Sequence, residues 1–147
     1  MGATDSPVSL PELVLRQAKD HPDAIALSSG DDVLTYAELS ERCGGLAAQL
    51  RERGVGGGIV AVCVPRGVDL IVSVLAVLAA GAAYLPLDFG LPAARKRALA
   101  TGARAALVVT PSTEVGTFDG FPVHTPSREV GAAVGSTTTR PPARNVG

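Results

Sequence analysis

The sequence predicts an α/β fold in which helices pack on a parallel or mixed sheet. Three observations carry that expectation. Short apolar runs rich in Val, Ile and Ala alternate with segments of helical period through the first 110 residues, the order that produces right-handed crossovers and a parallel sheet. One run, Ile59 to Val64, is apolar at every position, as a strand covered on both faces must be. With 147 residues, 46% of them hydrophobic, the chain has enough apolar surface to close one core.

The elements follow in order. Leu10, Leu13, Val14 and Ala18 recur at helical spacing, with Ser9 placed to cap the helix and Pro11 tolerated in its first turn. His21 and Pro22 end that helix. Ala24 to Ser28, a Gly30-Asp31-Asp32 turn and Val33-Leu34 then read as a small hairpin. Thr35 and Glu38 form a capping box, the Thr hydroxyl bonding a first-turn amide while the Glu carboxylate reaches back. The helix it opens carries an inner stripe of Leu39, Cys43, Leu46 and Leu50, with Glu38 and Arg42 expected as an i,i+4 pair on the outer face. Gly44 and Gly45 interrupt it, each costing about 1 kcal/mol relative to Ala, which implies a close neighbour or a locally weak helix. Gly54 is a natural stop.

Beyond the buried strand Ile59 to Val64, Gly67 to Ala80 reads as a helix apolar on nearly every side, and Ala83 to Leu85 as extended. Pro92 to Thr101 is a basic helix, and Ala105 to Thr110 another buried strand. Residues 111–147 hold five Pro, five Gly and nine Ser or Thr, a composition of loop and tail. The expected division is therefore a packed unit over 1–110 and a loop-rich stretch over 111–147 with at most one more strand, at Phe121 to His124, and a mobile tail from about Pro126.

Composition excludes several functions. Thirteen basic and fourteen acidic residues give a net charge of −1, so no broad positive field exists for nucleic acid or an anionic membrane. The uncharged run Leu70 to Leu87 is bracketed by Asp69 and Asp88 and broken by Gly81 and Pro86, which splits it into helix and strand rather than a membrane span. No basic, apolar leader marks the first eleven residues, and Cys43 and Cys63 lack the number and spacing of a disulfide framework or zinc site. A reduced, cytoplasmic setting is the expectation.

Spacing alone reveals no active site. Gly54 to Gly58 is glycine-rich, but a helix precedes it and a strand follows, the reverse of a phosphate-cradling loop. Ser136 to Arg140 offers hydroxyls and one guanidinium without glycine or Lys. His21 and His124 lie far apart and read as exposed loop residues, and Cys43 and Cys63 read as core. Arg66 and Asp69 fall at a strand-to-helix turn, where Asp69 serves first as a helix-dipole partner. Catalytic, cofactor-binding and metal-ligating residues are accordingly expected to be none.

Two motifs carry a resemblance. Leu34-Thr35-Tyr36-Ala37-Glu38-Leu39, and Leu75 through Gly81-Ala82-Ala83-Tyr84-Leu85-Pro86-Leu87-Asp88, resemble the first two core motifs of the adenylation domains of nonribosomal peptide synthetases. Ala79 stands where that family usually has Lys, and Phe89 where it usually has Pro. Arg53-Gly54-Val55, Pro65-Arg66 and Pro92-x-x-Arg95 also fit, so the resemblance runs from about Leu10 to Thr110. It implies the N-terminal portion of an adenylate-forming, acyl-CoA synthetase-like large subdomain. The implied reaction joins ATP and an amino acid to aminoacyl-AMP and pyrophosphate, then loads a carrier-protein phosphopantetheine thiol. ATP and Mg are implied for the complete domain and no cofactor for this chain alone. The phosphate loop and transition-state Lys lie downstream in the family, and Lys19 and Lys96, the two lysines present, occupy neither position. The resemblance thus implies a fragment, inactive alone, that partners the missing adenylation segments and a carrier protein. The alternative expectation is a non-catalytic α/β module that docks an MbtH-like protein or other synthetase segments.

Overall fold

The computed structural model describes residues 9–126. Ser9 caps α1 (Leu10–Asp20), accepting the Glu12 amide while Glu12 accepts the Ser9 amide. The helix lies against later helices and buries no residue fully; Leu10 and Leu13 stay exposed, and Val14 packs against the core. Strands β1 (Ile25–Ser29) and β2 (Asp32–Thr35) form an antiparallel hairpin with an irregularity between Ile25 and Leu27.

Helix α2 (Tyr36–Glu52) starts at the Thr35–Glu38 capping box, with Thr35 N–H 2.9 Å from Glu38 Oε1 and Glu38 N–H 3.1 Å from Thr35 Oγ1. Leu39, Cys43, Leu46 and Leu50 are all buried, as their spacing predicts. Arg42 is not on the outer face. It is buried, and its guanidinium reaches Asp69 at 2.8 Å. Position 42 adjoins Cys43 and Leu46 on the inner stripe, and a long side chain there is drawn across to the neighbouring helix, so Glu38 is left to the cap. Gly44 and Gly45 face open space. Close approach therefore does not explain them. Gly54, at φ +73° after the last helical turn, is the stop that only a residue without Cβ makes cheaply.

Strands β3 (Ile59–Val62), β4 (Ala83–Pro86), β5 (Leu107–Val109) and β6 (Val123–His124) form one parallel sheet in the order β4-β3-β5-β6. Helix α3 (Val68–Ala79) carries the chain from β3 out to the edge strand β4, helix α4 (Ala93–Gly102) carries it back to β5, and a 3-10 helix (Ser112–Phe118) precedes β6. Alternation places Val60, Val62, Leu107 and Val109 against α2 and α3. Ala61, Cys63 and Val108 point the opposite way, against Leu87, Ala100 and the fully buried Phe118. Covering both faces is why β3 reads as continuously apolar. The loop Gly54–Gly58 is anchored to the turn between α3 and β4: Gly57 N–H donates to Gly81 O at 2.9 Å, and Ala83 N–H to Gly58 O at 2.9 Å.

Candidate functional site at the carboxyl end of the sheet

In an open parallel sheet, ligands are met where the strands' carboxyl ends open onto loops. Four segments converge there: Cys63 to Arg66 after β3, Leu87 to Gly90 after β4, Thr110-Pro111 after β5, and the end of β6 at His124. Thr110 ties two of them, its hydroxyl donating to the Cys63 carbonyl at 2.8 Å. Asp88 Oδ1 accepts the Gly90 amide at 2.9 Å and fixes the turn after β4.

Two ion pairs brace this edge. Arg42 and Asp69 join α2 to the first turn of α3, whose cap Gly67 supplies no side-chain hydrogen bond. Arg42 Nε is buried without a hydrogen-bond partner, an orphan donor that offsets part of the pair's gain. On the other face, Lys96 Nζ lies 3.0 Å from Glu114 Oε1 and 4.8 Å from the centre of the Phe89 ring. Glu114 also accepts the Thr117 hydroxyl at 3.2 Å. Lys96 is 4% exposed, a burial that a lysine tolerates only with its charge paired. Arg97 donates to the Thr117 and Asp119 carbonyls, at 3.2 and 2.7 Å, so α4 grips the 3-10 helix twice.

Cys43 and Cys63 are buried, free thiols. Burial pushes Cys43 up to about 11, against a smaller lowering by Arg42. Cys63 is also raised, by burial first, with Lys96 lowering and Glu114 raising it. Neither is poised as a nucleophile. His21 is exposed at the end of α1, as expected. His124 departs from expectation: it is half-buried in β6, beside Gln49 of α2 and Arg53, the residue that caps α2, and burial and then Arg53 lower its pKa. Arg66 is exposed, and Asp69 is bonded to Arg42. Ser136 to Arg140 lies outside the described residues.

Among the described residues, no group of three His, Cys, Asp or Glu is placed to hold a metal ion. Nor is any helix of these residues long and apolar enough to cross a membrane. The groups that brace the site were missed in sequence because each pair joins elements far apart in the chain. The separations are 27 residues for Arg42 and Asp69, 18 for Lys96 and Glu114, and 75 for Gln49 and His124. A charged residue adjoining an apolar helical stripe was the one available signal.

A parallel sheet with helices on both faces and its loops gathered at the carboxyl edge defines the chain as an open, layered α/β unit. The chain belongs to the AMP-binding enzymes, whose family pattern matches residues 14–143. It is 43% identical over 133 residues to a probable non-canonical nonribosomal peptide synthetase, CymA, of Salinispora arenicola, covering 88% of this chain and 2% of that protein. It is 43% identical over 110 residues to tyrocidine synthase 2 of Brevibacillus parabrevis, covering 74% of this chain and 3% of the relative. Enterobactin synthase component F of Shigella flexneri is 41% identical over 115 residues, 78% of this chain and 9% of its own length. The chain thus spans a small part of each relative.

Solved structures agree. The nonribosomal peptide synthetase FmoA3 in its alpha-methyl-L-serine-AMP bound form superposes with a TM-score of 0.77 at 35% identity, over 85% of this chain and 15% of that one. The N-terminal subdomain of Klebsiella oxytoca NpsA superposes at 0.70 and 27% identity, over 80% of this chain and 30% of the subdomain. The adenylation-domain resemblance and the α/β fold expected from sequence are both borne out.

Proposed function

We propose that this chain forms the N-terminal scaffold of an amino-acid-activating adenylation domain in a nonribosomal peptide synthetase. The complete domain would join ATP and an amino acid into an aminoacyl adenylate with release of pyrophosphate, then pass the aminoacyl group to a phosphopantetheine thiol on a carrier protein. The supporting observation is the superposition of 85% of the chain on a synthetase solved with an aminoacyl adenylate bound. An artificially fused adenylation–PCP di-domain, NpsA-ThdA from Klebsiella oxytoca, superposes at a TM-score of 0.74 and 25% identity, which supports a carrier protein as partner.

The role of these residues is to hold the sheet edge in shape. The Thr110–Cys63 bond ties the segments that follow β3 and β5, while the two ion pairs join α2 to α3 and α4 to the 3-10 helix. Preorganisation of that kind lets neighbouring segments meet a nucleotide without reorganising at the moment of reaction. The glycine loop after α2 takes no part, because its Gly57 and Gly58 amides are used within the fold. No Mg step is assigned to the described residues, among which no three His, Cys, Asp or Glu side chains are grouped.

Two measurements test this reading. The purified chain should show no amino-acid-dependent ATP/pyrophosphate exchange, whereas an adenylation domain of tyrocidine synthase 2 whose matching segment is replaced by residues 9–126 should retain it. Robust exchange by the chain alone, or a folded chimaera without exchange, would overturn the proposal.

A further inference from the structure

A polar clasp joins the carboxyl-terminal turn of α2 to the edge strand β6, and the scaffold role above makes no use of it. His124 Nε2 lies 2.9 Å from Gln49 Oε1, and His124 Nδ1 lies 3.5 Å from an Arg53 guanidinium nitrogen. Arg53 also donates to the Val123 carbonyl at 3.3 Å. An amide oxygen only accepts and a guanidinium only donates, so one tautomer satisfies both contacts: Nε2 carries the hydrogen and Nδ1 presents its lone pair to Arg53. Strand β6 is two residues long and pairs with β5 alone among the described residues. Val123 and Phe121 pack on the core around Phe118, and the clasp ties the same strand to the end of α2.

We propose that Gln49, His124 and Arg53 form a pH-responsive latch on β6, closed while the imidazole is neutral and released when it takes a proton. Protonation at Nδ1 sets an N–H against a guanidinium, converting an attraction into repulsion between like charges in a half-buried place. The charged group facing His124 is Arg53, at the cap of α2, and Gln49 in its last turn is neutral. From β5 the imidazole's strand meets Val109 and Thr110, neither of which titrates there.

The sign follows from the lowered pKa. The released strand binds a proton at the ordinary imidazole value, whereas the latched one binds it only at lower pH. The latch is therefore at full strength above the ordinary value, weakens as pH falls through it, and reaches its minimum below the latched value. This inference concerns the sheet edge alone and does not depend on the reaction of the complete domain.

Hydrogen exchange on the full 147-residue chain, corrected for intrinsic rates, tests it between pH 7.5 and 5. The reporter is the Thr110 amide, which donates to the His124 carbonyl, and the control is the Cys63 amide, which donates to Val109 in the sheet centre. Protection at Thr110 should fall with pH by up to about tenfold per unit, the most that one proton can give, while protection at Cys63 holds. His124→Gln should flatten the dependence. A proton NMR titration of the wild-type imidazole gives an independent reading even where that variant folds poorly: His124 should titrate below the ordinary imidazole value. Constant Thr110 protection, an equal loss at Cys63, the same slope in His124→Gln, or a His124 titration at or above the ordinary value would each overturn the latch.

Discussion

Replacing Lys96 by Met keeps most of the aliphatic stem and deletes the charge that ties α4 to the 3-10 helix. The ammonium makes a 3.0 Å bond to Glu114 with both side chains largely shielded, 5% and 25% exposed, and sits over the Phe89 ring. A hydrogen bond between charged partners contributes about 1.5–3 kcal/mol and a partly desolvated cation–π contact about 0.5–2 kcal/mol. Lys96→Met should therefore cost about 2–5 kcal/mol, much of it because Glu114 keeps a shielded carboxylate without its cation. Glu114 remains bonded to Thr117, so the doubly substituted Lys96→Met, Glu114→Gln chain should recover roughly half of that loss. Urea unfolding followed by circular dichroism, run as a double-mutant cycle, supplies the numbers. A coupling below about 0.5 kcal/mol, the level of an ordinary surface pair, would refute the view that this pair clamps the carboxyl edge.

Gly44→Ala and Gly45→Ala should each stabilise the chain by about 0.5–1 kcal/mol in the same assay, because a Cβ at either position meets nothing within 4 Å; destabilisation would show that α2 needs its weak middle. Cys43 and Cys63 should resist iodoacetamide at pH 8 in the native state and label fully in urea. With Cys43 held protonated up to about 11, its contribution to stability is present below the ordinary thiol value and is lost as pH rises from there to about 11. Rapid native labelling of either thiol would contradict the burial.

The amino-acid sequence by itself determined the features that act within a few residues. The Thr35–Glu38 box opens α2 because both partners lie one turn apart. Leu39, Cys43, Leu46 and Leu50 face inward because a helix returns to the same side every three to four residues. The uniform apolarity of Ile59 to Val64 announced a strand with two covered faces. The motif ending at Pro86-Leu87-Asp88 carried the family.

Only the tertiary structure decided how polar side chains pair. Arg42 left Glu38 for Asp69, Lys96 turned inward to Glu114, and His124 met the end of α2 instead of solvent. It also showed that α1, amphipathic in sequence, leaves Leu10 and Leu13 about half exposed. The reason is physical: periodicity and capping are set by local backbone geometry, whereas an ion pair depends on where two separately formed elements are brought by the packing of their apolar faces. In this chain the apolar pattern places the helices, and their placement then chooses the partner for each buried charge.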